Sequence, residues 1–192
     1  MKKTLTIFFL VTLTLTSCDQ IRKKSQKKEK LEVTDFKDVK INNLYKIKVP
    51  KYMKEMKSLH EEASFKYANI FKETYTIVID ESKQEFIDVF VEYDLYDKEK
   101  STLDNYEEMQ LSNFKETIEN IEIIPLGDLL INGNSAKQYT LKGKVEAINV
   151  EYLITFLEGK KNMFMLMSWT IDSRMKKYFD SFKEAHTSFR LI

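Results

Sequence analysis

The sequence predicts an α+β fold in which a single antiparallel sheet is covered by helices. Apolar and polar residues alternate over residues 45–49 and again between residues 139 and 156, a pattern typical of half-buried strands. After Ser101, apolar residues instead recur at helical spacing. The 192 residues contain four Gly and two Pro, which favours long regular elements joined by few tight turns.

The first part of the domain is expected to open with the strand 45–49. Pro50 closes this strand, because Pro cannot donate to a strand ladder. Residues 51–62 are expected to form a short helix. A second strand is predicted over residues 63–69. The β-branched segment 74–79 is apolar on both faces, so we expect it inside the sheet.

Segment 82–96 fits two patterns. Its aromatic residues fit a helical stripe, whereas Ile87 and Val89 fit the alternation of a strand. We favour a helix, because the polar start Ser-Lys-Gln-Glu is typical of a first turn. Ser101 followed by Asp104 matches a helix-capping motif, which predicts the start of a longer helix at this point.

The second part of the domain is expected to be a strand meander followed by a helix. Pro125 and Gly127 are expected to break the chain after the long helix. Asn132-Gly133 predicts a hairpin, since a type I′ turn requires positive φ at both central residues. The final helix is expected to begin near Asp172. Its apolar stripe consists of Met175, Tyr178, Phe179, Phe182 and Phe189.

The first eighteen residues match the pattern of an export signal. A basic start at Lys2 and Lys3 precedes a short apolar segment and then small residues, which is typical of a secretory signal peptide. The apolar segment is too short to cross a hydrocarbon core of about 30 Å. The four residues that follow resemble the lipobox of bacterial lipoproteins, in which the cysteine is acylated and becomes the new amino terminus. They are Leu15, Thr16, Ser17 and Cys18.

This pattern predicts a division of the chain into three segments and a location in the cell. Residues 1–17 are expected to be a signal peptide, residues 18–41 a lipidated Cys18 with a charged tether, and residues 42–192 the folded domain. The tether contains little apolar surface to bury, so we expect its residues 19–33 to be solvated. The lipid bilayer is the expected partner of acylated Cys18, at the cell membrane and facing the periplasm.

Composition excludes several classes of function. The chain carries 31 Lys and Arg against 30 Asp and Glu, and this balance argues against a nucleic-acid-binding protein. Nucleophile elbows, His-Glu-x-x-His motifs and Gly-rich phosphate loops do not occur in the sequence. We therefore expect a protein that is not an enzyme, needs no cofactor and is a monomer.

Two further sequence features suggest a functional site but have a simpler, structural explanation. Met163, Met165 and Met167 share one face of a predicted strand, and their sulfur atoms suggest Cu(I). We expect them instead to be core residues, because Met is an adaptable core side chain, and we expect no metal site. His186 is expected on the polar side of the last helix, where its charge would complement the helix dipole.

A partner-binding edge is the remaining candidate site. Tyr93, Tyr96 and Tyr106 flank a charged connection, and Tyr is favoured at interfaces. The alternative is that at least one of them lies in the core. The acidic residues between positions 80 and 97 lack the spacing and the Gly of a calcium-binding loop, so we expect a solvated helix face there.

The pattern as a whole resembles the PsbP-like α/β/α sandwich, which is shared by DcrB-type bacterial lipoproteins. The resembling features are the strand that ends in Val49-Pro50, the long helix after Ser101, the turn in segment 131–136, the meander, and the closing helix that ends in segment 187–190. The resemblance covers about residues 42–192. It implies a binding or assembly accessory protein and supplies no functional residues.

Three hypotheses of function follow. The first is a non-enzymatic lipoprotein whose domain binds a protein or another envelope component. The second is a small-molecule or lipid binder with a pocket between sheet and helices. The third is a cryptic hydrolase. A closed core favours the first, a large apolar cavity favours the second, and a buried carboxylate or His in a cleft favours the third.

Overall fold

A computed structural model of the chain describes residues 28–192. The predicted signal peptide, the lipobox residues Leu15, Thr16 and Ser17, and Cys18 lie outside the described residues. Within residues 28–192, no helix is both long and apolar enough to cross a membrane.

Ten strands and three helices make up the described part of the chain. The strands are β1 (Phe36–Ile41), β2 (Tyr45–Pro50), β3 (Lys54–Glu55), β4 (Phe65–Asn69), β5 (Thr74–Ser82), β6 (Glu119–Ile131), β7 (Asn134–Val145), β8 (Ile148–Glu158), β9 (Asn162–Ile171) and β10 (Arg190–Leu191). The helices are α1 (Lys83–Glu92), α2 (Thr102–Thr117) and α3 (Asp172–Thr187).

The strands form two antiparallel sheets. The large sheet has seven strands in the order β3-β4-β5-β9-β8-β7-β6, and the small sheet has three in the order β1-β2-β10. The predicted α+β sandwich with helices covering a large antiparallel sheet is confirmed. The structure adds the small sheet, because β2 pairs with β1 and β10 and not with the large sheet.

Central strand β9 is apolar on both faces, and both faces are covered. Met163, Met165 and Met167 point to one face, where they pack with residues of α1 and α2 and are at most 9% exposed. Phe164 and Leu166 point to the opposite face. The three Met side chains are therefore part of the core, as expected from the sequence.

The opposite face of the large sheet is covered by the small sheet and by α3. Tyr45 of β2 packs on this face, with its ring centroid 5.7 Å from that of Phe164 and 4.9 Å from that of Phe189. Leu153 of β8 lies beneath α3, where it contacts a cluster that includes Phe182. Each large apolar side chain buried in this way contributes about 1.5–3 kcal/mol to folding. The molecule is thus a three-layer sandwich around the large sheet.

Both helix predictions in the middle of the chain are confirmed. Ser82 caps α1, because its hydroxyl oxygen accepts a hydrogen bond from the backbone N–H of Glu85 at 3.3 Å. Ser101 and Asp104 form the predicted capping box of α2. Such caps stabilise a helix by about 1 kcal/mol each. Segment 82–96 is therefore helical over α1, and its polar start is the first turn.

The predicted meander is confirmed as strands β6 to β9. Asn132 (φ 49°) and Gly133 (φ 85°) are both left-handed, as a type I′ hairpin turn requires. The predicted break at Pro125 and Gly127 is wrong, since both residues lie within β6. The register between β6 and β7 shifts at this point. The resulting bulge lets the strand continue across two residues that normally interrupt one.

Two other predictions near the start of the domain are wrong. Strand β1 lies inside the predicted tether 18–41, so the ordered domain begins before residue 42. Its Val39 packs against the core cluster beneath the small sheet. Segment 51–62 contains strand β3 and a short 3-10 turn, not an α-helix. In both segments, pairing with a neighbouring strand decides the backbone conformation, and local periodicity does not reveal such pairing.

A buried hydrogen-bond network joins α3 to the large sheet. His186 of α3 is fully buried, which corrects the prediction that it lies on the polar side of the helix. Its Nδ1 lies 2.8 Å from Oγ1 of Thr155, and its Nε2 lies 3.0 Å from Oγ of Ser168. Thr76 extends the network beyond Ser168 at 2.8 Å, and Gln138 donates to Thr155 at 2.9 Å. The network thus spans β5, β9, β8 and β7.

Burial lowers the pKa of His186 from 6.5 to about 3. A group whose pKa is lowered by folding stabilises the protein above its unfolded pKa and loses that contribution as the pH falls through its folded pKa. The stabilising effect of His186 is therefore complete above pH 6.5. It decreases as the pH falls toward 3.

We therefore expect His186→Gln to reduce the acid sensitivity of the fold. From pH 7 to pH 5 the wild-type protein should lose about 2 kcal/mol of unfolding free energy through His186, and the variant should not. Urea denaturation of residues 28–192 at both pH values measures the difference. His60→Gln is the matched control, because His60 is partly exposed. Equal pH dependence in wild type and His186→Gln would contradict the assignment.

Candidate partner-binding surface

The three predicted tyrosines lie in different environments. Tyr106 is fully buried, and its hydroxyl donates to Glu81 at 2.8 Å. It is therefore a core residue and is removed from the predicted edge. Tyr96 is partly buried, with its hydroxyl 3.0 Å from that of Thr102. Only Tyr93 of the three is largely exposed, at 67%.

Tyr93 belongs to a short exposed apolar segment that sequence analysis did not identify as a unit. We call it the α1 surface and define it by four residues. They are Val89 (48% exposed), Val91 (48%), Tyr93 (67%) and Leu95 (64%). Several large exposed apolar side chains within seven residues are a candidate contact surface. The sequence signal for this segment was the strand-like alternation noted above, which includes Val89.

The local structure explains how the side chains of α1 and of the following segment divide between the core and the solvent. Its inner side carries Phe86 and Phe90, whose ring centroids are 4.5 Å apart, and Phe86 packs edge-on against Tyr106 at 5.4 Å. Asp94 adopts a left-handed conformation (φ 56°), which ends the helix. The N–H of Leu95 then bonds the carbonyl of Phe90 at 2.8 Å. This cap holds the segment after the helix in place, with Leu95 facing outward.

Acidic side chains lie among the apolar residues of the α1 surface. Asp88, Glu92 and Asp94 are exposed, as expected for a solvated helix face. Within residues 28–192, no group of three or more His, Cys, Asp or Glu side chains is arranged to hold a metal ion. The α1 surface therefore combines exposed apolar side chains with negatively charged ones.

A groove of about 590 Å³ lies between the start of α2 and the β6–β7 hairpin. Its lining residues are Ser101, Leu103, Asp104, Asp128, Leu129, Leu130, Ser135, Ala136 and Lys137. Lys137 forms ion pairs with Asp104 and with Glu107, the latter at 2.6 Å. Its hydrogen bond to Asp104 lowers the pKa of that carboxyl to about 2. Lys137 and Asp104 of the groove thus already have partners, and these ion pairs fasten α2 to β7.

The pair formed by Ser168 and His186 has the spacing of a nucleophile and its base. Its atoms are 3.0 Å apart, but neither side chain has any exposed surface. The third member is the hydroxyl of Thr155, where a catalytic triad has a carboxylate. A substrate reaches the hydroxyl of Ser168 only if α3 moves away from the sheet, so this geometry is that of a structural network.

A carboxyl group with a raised pKa lies on β8 near the start of α3. Glu151 of β8 faces Lys142 of β7 in register, and Lys142 forms an ion pair with Asp172 at 2.7 Å. The pKa of Glu151 is raised to about 7, mainly by burial and to a smaller extent by the nearby Asp172 carboxylate, against the opposing effect of Lys142. Such a shift is typical of functional acids and also of structural ion-pair networks. Sequence analysis did not single out this residue.

Comparison with known structures identifies the fold. The chain is similar to cyanobacterial PsbP from Synechocystis sp. PCC 6803, with a TM-score of 0.54, 10% identity, and coverage of 85% of this chain and 96% of that chain. It is also similar to a protein of unknown function from Pseudomonas aeruginosa, with a TM-score of 0.49, 11% identity, and coverage of 80% and 94%. No protein-family model and no curated protein sequence matches the chain. The fold is PsbP-like, and the resemblance inferred from the sequence is confirmed at the level of the fold.

We expect Glu151→Gln to change how stability depends on pH. A group whose pKa is raised by folding stabilises the protein below its unfolded pKa and loses that contribution as the pH rises through its folded pKa. The wild-type protein should therefore lose unfolding free energy between pH 4.5 and about 7. The neutral variant should be more stable than wild type at pH 8. Thermal unfolding at pH 5 and pH 8 tests this, with Glu146→Gln as an exposed control; a variant less stable at pH 8 would refute it.

Proposed function

We propose that this protein is a membrane-anchored bacterial lipoprotein that presents its PsbP-like domain to a protein partner in the periplasm. The lipobox-like segment ending at Cys18 is the evidence for a lipid anchor. The exposed apolar side chains of the α1 surface are the evidence for a protein partner. We propose that the role is binding and not catalysis.

The observation that carries the binding role is the contrast between the interior and the α1 surface. Both faces of the large sheet are covered, and their apolar side chains are buried. Against this closed interior, Val91, Tyr93 and Leu95 remain exposed within five residues of one another. A partner that buried them would gain about 25 cal/mol per Å² of apolar surface.

The charges of the α1 surface indicate the chemistry of this partner. Asp88, Glu92 and Asp94 are exposed beside the apolar side chains and would be neutralised by Lys or Arg side chains of the partner. Such charge complementarity favours the correct partner and its rate of association. The proposed partner surface therefore carries both apolar and basic side chains.

The enclosed state of the Ser168–His186 pair supports a non-catalytic role for that pair. The groove between α2 and the β6–β7 hairpin would be the binding site under the small-molecule alternative, since its volume of about 590 Å³ lies in the range of ligand pockets. Its Lys137 and Asp104 already bond one another, so a polar ligand that used them would have to displace that contact. We therefore prefer the α1 surface.

Attachment is tested with Cys18→Ala. The variant should incorporate no labelled fatty acid and should accumulate as a precursor that retains residues 1–17, because the acylated residue is missing. Fatty-acid labelling and the apparent mass of the protein in its host measure this. Ser17→Ala is the matched control, since Ala is also small and should still be processed. Normal processing and membrane retention of Cys18→Ala would refute the anchor.

Partner binding is tested by photo-crosslinking in the host cell. A photoreactive phenylalanine analogue at position 93 of the full chain should give one defined protein adduct. The same analogue at position 130 should not, although Leu130 is also apolar and is 74% exposed. Val91→Asp should weaken the position-93 adduct about tenfold, because it puts an unpaired charge into the interface. Equal adducts at both positions, or an adduct unaffected by Val91→Asp, would contradict the proposal.

A further inference from the structure

The turn between β4 and β5 exposes two large apolar side chains at its tip. Ile70 is 57% exposed and Phe71 is 89% exposed, the highest value among the large apolar side chains that are exposed in residues 28–192. Nothing in the core requires apolar residues at this position, because neither belongs to a core cluster. The tip is not part of the α1 surface, so its exposed apolar side chains need a separate explanation.

The tip is held rigidly by polar contacts at its base. Asn69 accepts a hydrogen bond from the N–H of Lys72 at 2.9 Å and donates to the carbonyl of Tyr52 at 2.9 Å. Arg174 at the start of α3 donates to the carbonyl of Lys72 at 3.2 Å and pairs with Glu73 at 2.9 Å. These bonds fix both ends of the turn, so the exposed pair is presented in one orientation.

The first described residues of the chain are bound beside this turn. The carboxylate of Glu29 accepts hydrogen bonds from Lys72 at 2.9 Å, from the hydroxyl of Tyr52 at 2.8 Å and from Ser181 at 3.1 Å. Its side chain is only 9% exposed. This contact corrects the expectation that residues 19–33 are solvated throughout. It also fixes where the chain leaves the domain toward Cys18, which is next to the apolar tip.

The distance from this exit to the proposed lipid anchor is short. Lys28 follows Cys18 by ten positions in the chain. A fully extended chain covers at most about 3.6 Å per residue, which sets an upper limit of roughly 36 Å. If Cys18 is acylated, the β4–β5 turn belongs to the end of the domain that is held near the bilayer.

We propose that Ile70 and Phe71 insert into the interfacial region of the bilayer that holds the acyl chains of Cys18. This proposal rests on the proposed lipoprotein function. The tip supplies apolar side chains, and a basic run in the connecting sequence favours anionic headgroups. That run is Arg22, Lys23, Lys24 and Lys27. The insertion is a second contact that orients the domain, while the acyl chains provide attachment.

The opposite end of the large sheet provides a control position. Register places Ala136, beside the β6–β7 turn, in a row with Leu157, Phe164 and Asp80, whereas the β4–β5 turn lies beyond the other end of β5. Leu130 lies next to the β6–β7 turn and is 74% exposed. It matches Ile70 in exposure and apolar character but should face away from the membrane.

The test uses a fluorescent label attached to a single introduced thiol. Cys18 is the only cysteine of the chain, so Ile70→Cys in the lipidated full chain carries one free thiol. The labelled protein is reconstituted into vesicles of phosphatidylethanolamine and phosphatidylglycerol whose acyl chains carry a nitroxide quencher. The label at position 70 should lose about half of its fluorescence, since interfacial segments lie about 5–10 Å deep. Leu130→Cys, labelled in the same way, should lose little.

A second variant tests whether Phe71 inserts, with the label kept at position 70. Phe71→Asp combined with Ile70→Cys should remove most of the quenching while flotation with the vesicles is unchanged. Because Phe71 is almost fully exposed, this substitution leaves the core intact. Absence of quenching at position 70, or equal quenching at positions 70 and 130, would overturn the proposal.

Failure of the anchor gives a different result. In that case the unsubstituted chain reacts with the thiol label through Cys18 and does not float with the vesicles. The proposal of a membrane-inserted tip requires two results. The unsubstituted chain must not react with the thiol label, and quenching must occur at position 70 and not at position 130.

Discussion

The structure depends on one constraint, which is that the central strands of the large sheet are apolar on both faces. Met165 and Phe164 are adjacent in β9 and point in opposite directions, and both are buried. Such a strand needs a covering layer on each side. Helices α1 and α2 supply one layer, and the small sheet together with α3 supplies the other. The three-layer sandwich follows from this requirement.

The second covering layer is placed by polar contacts as well as by apolar ones. His186 bonds hydroxyl groups on β8 and β9, and the network continues to β5 and β7. Buried polar groups without partners cost about 1–3 kcal/mol each, so the two ring nitrogens of His186 require α3 in one position along the sheet. Apolar packing alone would tolerate small shifts of the helix. The network therefore adds positional specificity to a layer that burial already favours.

The features that the core does not use lie on separate parts of the surface. The α1 surface consists of exposed apolar side chains of α1 and of the segment that follows it. The β4–β5 turn carries Ile70 and Phe71 beside the point where Glu29 fastens the start of the described chain. If the two proposals hold together, one surface faces a protein partner while another part of the same domain rests on the membrane. Lipid attachment would then limit the distance between the domain and the membrane, and the β4–β5 tip would set the orientation of the domain.

The sequence by itself determined the helix starts at Ser82 and Ser101, the Asn132-Gly133 turn and the strands of the meander, because each depends on neighbours within a few residues. It also predicted the PsbP-like sandwich. Strand β1, the two-sheet pairing of β2 and the burial of His186 were decided only by tertiary structure. His186 follows Phe182 by four residues, so helical spacing places it on the buried stripe. Its assignment to the polar side came from residue type, yet only hydroxyl groups on distant strands make a buried imidazole stable.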